Sequence, residues 1–236
     1  MHFADRGRSR FGFLTGLEEA GKRGDEGAMI EGVYERIKSG LLSRIPAPGQ
    51  LLQIGVLAEE LSVSTTPVRE ALTRLAAERL IVATRKRGFF TRAPSEAELL
   101  GLYCVNETLL DGAIARWRER VTDQPEASLL SLDDPSPAER VRHTAELFTQ
   151  VAARCGLPEF AALVGNINDR LHHARLVEQD LIRDTQGEWA QLAALEAAGK
   201  RDELRAALRA YHKRRERQVS AICRELLLRA FSSARR

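Results

Sequence analysis

The 236-residue chain is poor in cysteine, methionine and tryptophan, with three Cys, two Met and two Trp. Cys104, Cys155 and Cys223 lie far apart, are odd in number and form no CxxC or Cys/His cluster. That spacing speaks against a disulfide framework and a structural zinc, and a reducing cytoplasm is the expected setting. No apolar run approaches the roughly 18 residues of a membrane span. The N-terminus carries Arg6, Arg8 and Arg10 but no continuous apolar core, so a secretory signal is not expected. HExxH, P-loop, GxGxxG and nucleophile-elbow motifs are all missing. An all-helical, metal-dependent enzyme using His143, His172 or His173 therefore stands as a rival reading without a motif.

What is present is an ordinary globular composition: 44% hydrophobic, 29% charged, net charge +3. The length fits two modest domains better than one. Residues 1–28, rich in Gly, Arg, Lys and Glu, read as a flexible arm with at most a short helix around Thr15–Lys22. Two readings of that arm stay open: a true start at Met29, or loose contacts to phosphates.

Helical periodicity begins at Ile30 and runs through Val33, Ile37 and Leu41. Pro46, Pro48 and Gly49 break it. A second helix is predicted over Gly55–Leu61, with Val56, Leu57 and Leu61 inward. A third runs from about Thr65 to Glu78, with Ser64 as N-cap, Pro67 in the first turn and Val68, Ala71, Leu72 and Leu75 buried. Two β-rich stretches follow, Leu80–Thr84 and Phe89–Arg92. Arg85-Lys86-Arg87-Gly88 forms a basic hairpin tip between them, and Gly88 is available for positive φ. Three helices and a basic hairpin are the order of a winged helix-turn-helix, here 29–93.

Ala93-Pro94-Ser95 punctuates the chain. Ser95 and Glu98 form a capping box opening a helix to about Val121. A Pro/Asp/Ser loop spans 122–137. Helices are then predicted over Ala138–Arg154, Pro158–Ile182, Gln186–Ala198 and Arg201–Phe231, with 232–236 as a tail. The fold class is mainly α: the winged helix-turn-helix followed by an all-α bundle over 95–231.

Across 29–93 ten Lys/Arg face six acids, an excess of four positive charges in a chain of net charge +3. A positive module on a near-neutral remainder is the footprint of phosphate binding. The third helix would read bases. Its tip presents Ser64, Thr65, Thr66 and Arg69, with Arg74 further along. Short hydroxyls can approach the duplex, and Arg69 can span the O6/N7 edge of guanine. The alternatives are that Ser64 and Thr65 only cap the helix, that Arg69 pairs with an acid, and that Arg85, Lys86 and Arg87 are a solvated loop.

The stretch Leu57-Ala58-Glu59-Glu60-Leu61-Ser62-Val63-Ser64-Thr65-Thr66-Pro67-Val68-Arg69-Glu70-Ala71-Leu72-Thr73-Arg74-Leu75 closely resembles the DNA-binding motif of GntR-family regulators. Ala47-Pro48-Gly49, Glu78-Arg79-Leu80-Ile81 and Gly88 match as well. The resemblance implies a homodimer on a palindromic DNA operator, with Thr66, Arg69 and the wing at Arg87-Gly88 touching DNA. The family usually has Arg directly after the Ser; Thr65 stands there, which implies a different operator sequence.

The second half resembles, more loosely, the FCD effector domain of the FadR subfamily, through helix pattern and breaks over about 95–230. That resemblance implies a small-molecule effector and, in many members, a metal held by one Asp and three His. The corresponding positions hold Thr144, Phe148, Trp189 and Tyr211, so no metal cofactor is expected. In one reading Phe148, Trp189 and Tyr211 line an aromatic, metal-free pocket. In another, His143, His212 and His172 or His173 rebuild a displaced metal site; a one-residue slip turns a side chain by about 100° and speaks against it.

Asn106, Asn166, Arg170, His173 and Arg175 are further polar candidates for the effector site. Asn106 stands where the family often has Arg, which weakens a carboxylate clamp. Lys200, Arg201, Arg205, Arg209, Lys213, Arg214, Arg215 and Arg217 read as a solvated face. The expectation is a ligand-responsive DNA-binding regulator, of the repressor type. An effector-independent architectural DNA binder is the second alternative.

Overall fold

A computed structural model describes residues 26–118 and 136–233. The short helix expected within 15–22, the extension of a helix to Val121 and nearly all of the 122–137 loop lie outside the described residues. The chain divides into two compact units, 1–92 and 93–236.

In the first unit α1 (Glu26–Leu42), α2 (Ile54–Leu61) and α3 (Thr65–Ala77) surround one apolar core, edged by a three-stranded antiparallel sheet. Val33, Tyr34, Ile37 and Leu41 of α1 recur at helical spacing and are all buried. On α2 the buried set is Leu57, Ala58 and Leu61, while Val56 is only half-buried. Ser62 ends α2 in the left-handed region, φ +55°, with its N–H turned back to the carbonyls of Ala58 and Glu59. That tight exit starts α3 three residues later. Val68, Ala71, Leu72 and Leu75 of α3 are fully buried, as their spacing predicts.

The strands are β1 (Leu51–Leu52), β2 (Val82–Thr84) and β3 (Gly88–Phe90), in spatial order β1-β3-β2. Leu51 pairs with Phe90, and Thr84 with Gly88. β1, too short for a periodic signal, is not predicted by the sequence. At the hairpin tip the Arg87 N–H bonds the Thr84 carbonyl at 3.0 Å. The positive φ there falls on Lys86 (+67°) as well as on Gly88 (+99°). A Cβ on Gly88 would also press on Leu51 at 3.3 Å. Thr91 is locked to the segment before β1: its hydroxyl donates to the Ala47 carbonyl (2.6 Å) and accepts from the Gln50 N–H (2.9 Å).

The second unit holds α4 (Glu96–Ile114), α5 (Pro137–Ala153), α6 (Pro158–Leu181), α7 (Thr185–Ala197), α8 (Arg201–Glu216) and α9 (Val219–Ser233). α4 packs on α5, α6, α8 and α9, and α7 packs on α5 and α8. Ser95 caps α4 by accepting from the Glu98 N–H. The predicted reciprocal bond from Glu98 is not what the carboxylate does: it pairs with Arg170 of α6 at 2.7 Å. A full capping box occurs instead at Ser136 and Glu139, opening α5.

The helix expected over 201–231 is two helices, α8 and α9. The buried positions Leu204, Leu208, Tyr211, Arg215, Val219, Ile222 and Leu226 keep helical spacing straight through the break, so periodicity could not reveal it.

Candidate nucleic-acid interface and ligand cleft

Ser64, Thr65, Thr66 and Arg69, at the first turn of α3, are all exposed. Ser64 takes the N-cap position (φ −71°, ψ 167°), yet its side chain makes no capping hydrogen bond. Its hydroxyl is available to a partner, against the reading that it only caps. Arg69 enters no ion pair among the described residues and lies in solvent. Arg85, Lys86 and Arg87 are likewise exposed and unpaired among the described residues, with Gly88 half-buried behind them. Uncompensated cations on a tight turn raise the local potential and favour an anionic partner.

Arg74 differs from the DNA-facing cations with which the sequence groups it. Its guanidinium donates to Glu31 of α1 (2.6 Å) and to Glu78 (3.1 Å), and lies 3.7 Å over the Tyr34 ring. Tyr34 in turn donates its hydroxyl to Glu78 at 2.6 Å. Burial first, then that bond, push its phenol up to about 12. These contacts tie the exposed side of α3 to α1, so Arg74 supports the helix rather than projecting from it.

A cleft in the second unit contains about 320 Å³ of empty space, part of it open to solvent. It gathers Thr144, Trp189 and Tyr211, three of the four positions read as replaced metal ligands. The fourth, Phe148, is fully buried, edge-on to Tyr211 at 5.2 Å. An indole, a phenylalanine ring and a phenol, with a Thr144 hydroxyl donating to the Arg140 carbonyl at 2.8 Å, are no donor set for the metal that the resemblance implies. Among the described residues no three His, Cys, Asp or Glu side chains come together as a metal would require. The His212 Nδ1 lies 2.7 Å from the Leu208 carbonyl, so it carries the proton, and Nε2 accepts from Asn106 Nδ2 at 3.2 Å. Burial lowers this imidazole to about 3, so it is neutral.

Of the remaining polar candidates Arg175 lines the cleft, and the other four are not brought to it. Asn106 is fully buried on His212, Arg170 is paired with Glu98, and Asn166 and His173 are half-buried on α6 outside the lining. Beside Arg175 stand Arg140 of α5, Glu178 and Gln179 of α6, Thr185 and Leu192 of α7, and Arg215 of α8.

Arg215 corrects the reading of the last cationic run as wholly solvated. It is 2% exposed, donates to Glu178 at 2.7 Å and to the Tyr211 carbonyl at 3.0 Å, and forms an ion pair with Glu188 at 2.8 Å. Burial opposes its charge, but the surrounding Tyr211, Glu178 and Glu188 hold the guanidinium above its ordinary value. The other Glu178 oxygen accepts from Tyr103 of α4. Burial and then the Glu178 charge raise that phenol well above its usual range. One signal for these residues was in the sequence: Arg175 and Glu178 continue the buried stripe Val164, Ile167, Leu171, and Arg215 continues Leu204, Leu208, Tyr211. A charge on an apolar stripe marks an interior ion rather than a solvated face.

Residues 29–91 match the family described as bacterial regulatory proteins, gntR family. The chain is 29% identical over 184 residues to the Nta operon transcriptional regulator of Aminobacter aminovorans, covering 75% of this chain and 88% of that protein. It is 30% identical over 98 residues to the HTH-type transcriptional repressor GlaR of Escherichia coli (strain K12), covering 42% and 44%. The fold is that of a Rhodococcus sp. RHA1 protein assigned as a GntR transcriptional regulator, with a TM-score of 0.63 at 18% identity over 82% of this chain and 98% of that one. E. coli McbR/YncC is similar, with a TM-score of 0.62 at 19% identity over 82% and 97%. No helix among the described residues is long and apolar enough to cross a membrane. A winged helix-turn-helix that matches the gntR family over 29–91 and a helical second unit thus make a chain that is similar, over three quarters of its length, to a transcriptional regulator.

Proposed function

We propose that the protein is a ligand-responsive repressor that binds a palindromic operator as a homodimer in the cytoplasm, with a small-molecule effector held by an FCD-like second unit. The observation that carries the DNA-reading half is the exposed, unpaired set of Arg69 beside the Ser64, Thr65 and Thr66 hydroxyls. The three-cation wing tip belongs to the same compact unit. Arg69 reads a base edge, and Arg85, Lys86 and Arg87 neutralise phosphates, each adding about 0.9 to the salt slope of binding. The repressor direction rests on the likeness to GlaR, whose name carries that role. The effector half rests on the charged cleft. An effector that prefers one arrangement of the helices shifts the population away from the one that engages both half-sites.

Anisotropy titrations against duplex from upstream of the chain's own gene test this reading. Arg69→Ala should lose about 1–3 kcal/mol of operator affinity and relax discrimination at one base. Equal loss on operator and random duplex would make Arg69 a phosphate contact. Absence of salt-dependent duplex binding by the unaltered chain would end the proposal.

A further inference from the structure

Arg175 is 1% exposed and lines the cleft. Its Nη1 donates to Asn168 Oδ1 at 2.9 Å, and its guanidinium lies 5.2 Å from the centre of the Phe148 ring. Nε and Nη2 are buried and have no hydrogen-bond partner. A buried cation with two unmatched N–H groups is costly, because desolvation is not repaid by bonds. The indole Nε1–H of Trp189, in the wall of the same cleft, is also buried and unpartnered. Three orphan donors in one cleft call for an acceptor, and a guanidinium offers its donors in the fork that fits a carboxylate.

Charge and shape narrow the class. Of the charged groups in the lining, the guanidiniums of Arg140, Arg175 and Arg215 outnumber the one carboxylate, Glu178, which suits an anion. The enclosed part of the cleft has room for about one water, so a ligand must move side chains aside. Trp189 and Tyr211 supply flat apolar walls.

We infer that the cleft binds a small carboxylate with a flat apolar body, without a metal, through the Arg175 guanidinium and the Trp189 indole N–H. This rests on the effector reading above and deepens it. It also reverses the weakening of a carboxylate clamp at Asn106, since the cation is supplied from α6 instead of α4. Glu178, one turn from Arg175, already grips Tyr103 of α4 and Arg215 of α8, so an anion arriving beside it is felt by three helices.

Scanning calorimetry on the full chain tests this with benzoate, benzyl alcohol and benzylammonium at equal millimolar concentration. Benzoate should raise the unfolding midpoint by mass action, and the other two should not. Arg175→Met should leave the ligand-free midpoint unchanged or higher, because an unmatched ion is replaced by an apolar chain, and should abolish the benzoate shift. Trp189→Phe keeps a ring, loses the donor and should weaken benzoate about tenfold. If the Met variant does not fold, Arg175→Lys keeps the charge, loses the fork and must still weaken benzoate. No benzoate shift, an equal shift from benzyl alcohol, a shift from benzylammonium alone, or a benzoate shift that survives both Arg175 variants overturns the inference. Benzoate binding through Arg175 with unchanged operator affinity would support this site while removing the effector role proposed above.

Discussion

Among the described residues of the first unit Thr91 is the buried polar side chain; the second unit buries Asn106, His143, Thr144, Asn168, Arg175, Glu178, Glu196, His212 and Arg215. The first unit is an apolar core with its cations outside, where solvent screens them until a polyanion replaces the counterions. The second draws ions into its interior, where each costs several kcal/mol unless matched. A surface site for DNA needs only exposure. A site for a small anion, as proposed for the cleft, needs donors kept away from water, and such donors cost stability when unmatched.

This contrast can be broken experimentally, because both tryptophans, Trp117 and Trp189, belong to the second unit and none to the first. Tryptophan fluorescence therefore reports the ion-bearing bundle alone. The largest effect is expected from Arg215→Met, which strands Glu178 in the interior without a cation. Urea titration should show a loss of about 3–5 kcal/mol. A loss well under that range would mean that the interior ions do not hold the helices together.

Acid sharpens the same difference. The fold lowers His212 from 6.5 to about 3, chiefly by burial, so folding favours the neutral ring. Its contribution is fully present above pH 6.5 and is lost as pH falls towards 3, at about 1.4 kcal/mol per pH unit. The described part of the first unit contains no histidine. Fluorescence-monitored urea midpoints through that pH window should fall, and His212→Gln should flatten the decline. A flat profile for the unaltered chain would contradict a buried neutral His212.

The smallest effect separates two cations within the first unit. Arg87→Ala should reduce the salt slope of operator binding by about 0.9. Arg74→Met should leave the slope unchanged and cost under about 1 kcal/mol of stability, since its pair with Glu31 is half exposed. Matching slopes for the two variants would return Arg74 to the phosphate contacts.

What the sequence reveals follows the same division. In the first unit inside and outside are written as apolar and polar, so the Val68, Ala71, Leu72, Leu75 stripe and the Arg85-Lys86-Arg87 tip are legible directly. β1 is not, because a two-residue strand has no period. In the second unit a charge no longer means outside. Arg215 sits within a run of cations and reads as one of them, although it is the most enclosed. Arg140, Gln179 and Thr185 reach the cleft only through the packing of α5, α6 and α7, a long-range fact that local spacing does not carry. The aromatic positions Trp189 and Tyr211 are legible through the resemblance, whereas Phe148 turns out to back the wall instead of facing the space.

Between Phe90 at the end of β3 and Glu96 at the start of α4 the chain has little slack. Thr91 is bolted to Ala47 and Gln50, and Ser95 is already engaged as a cap, which leaves Ala93 and Pro94 as the residues with the fewest restraints. The proline ring fixes its own φ and keeps Ala93 extended. Such a joint has few torsions left to turn, where a longer glycine-rich string would have had many.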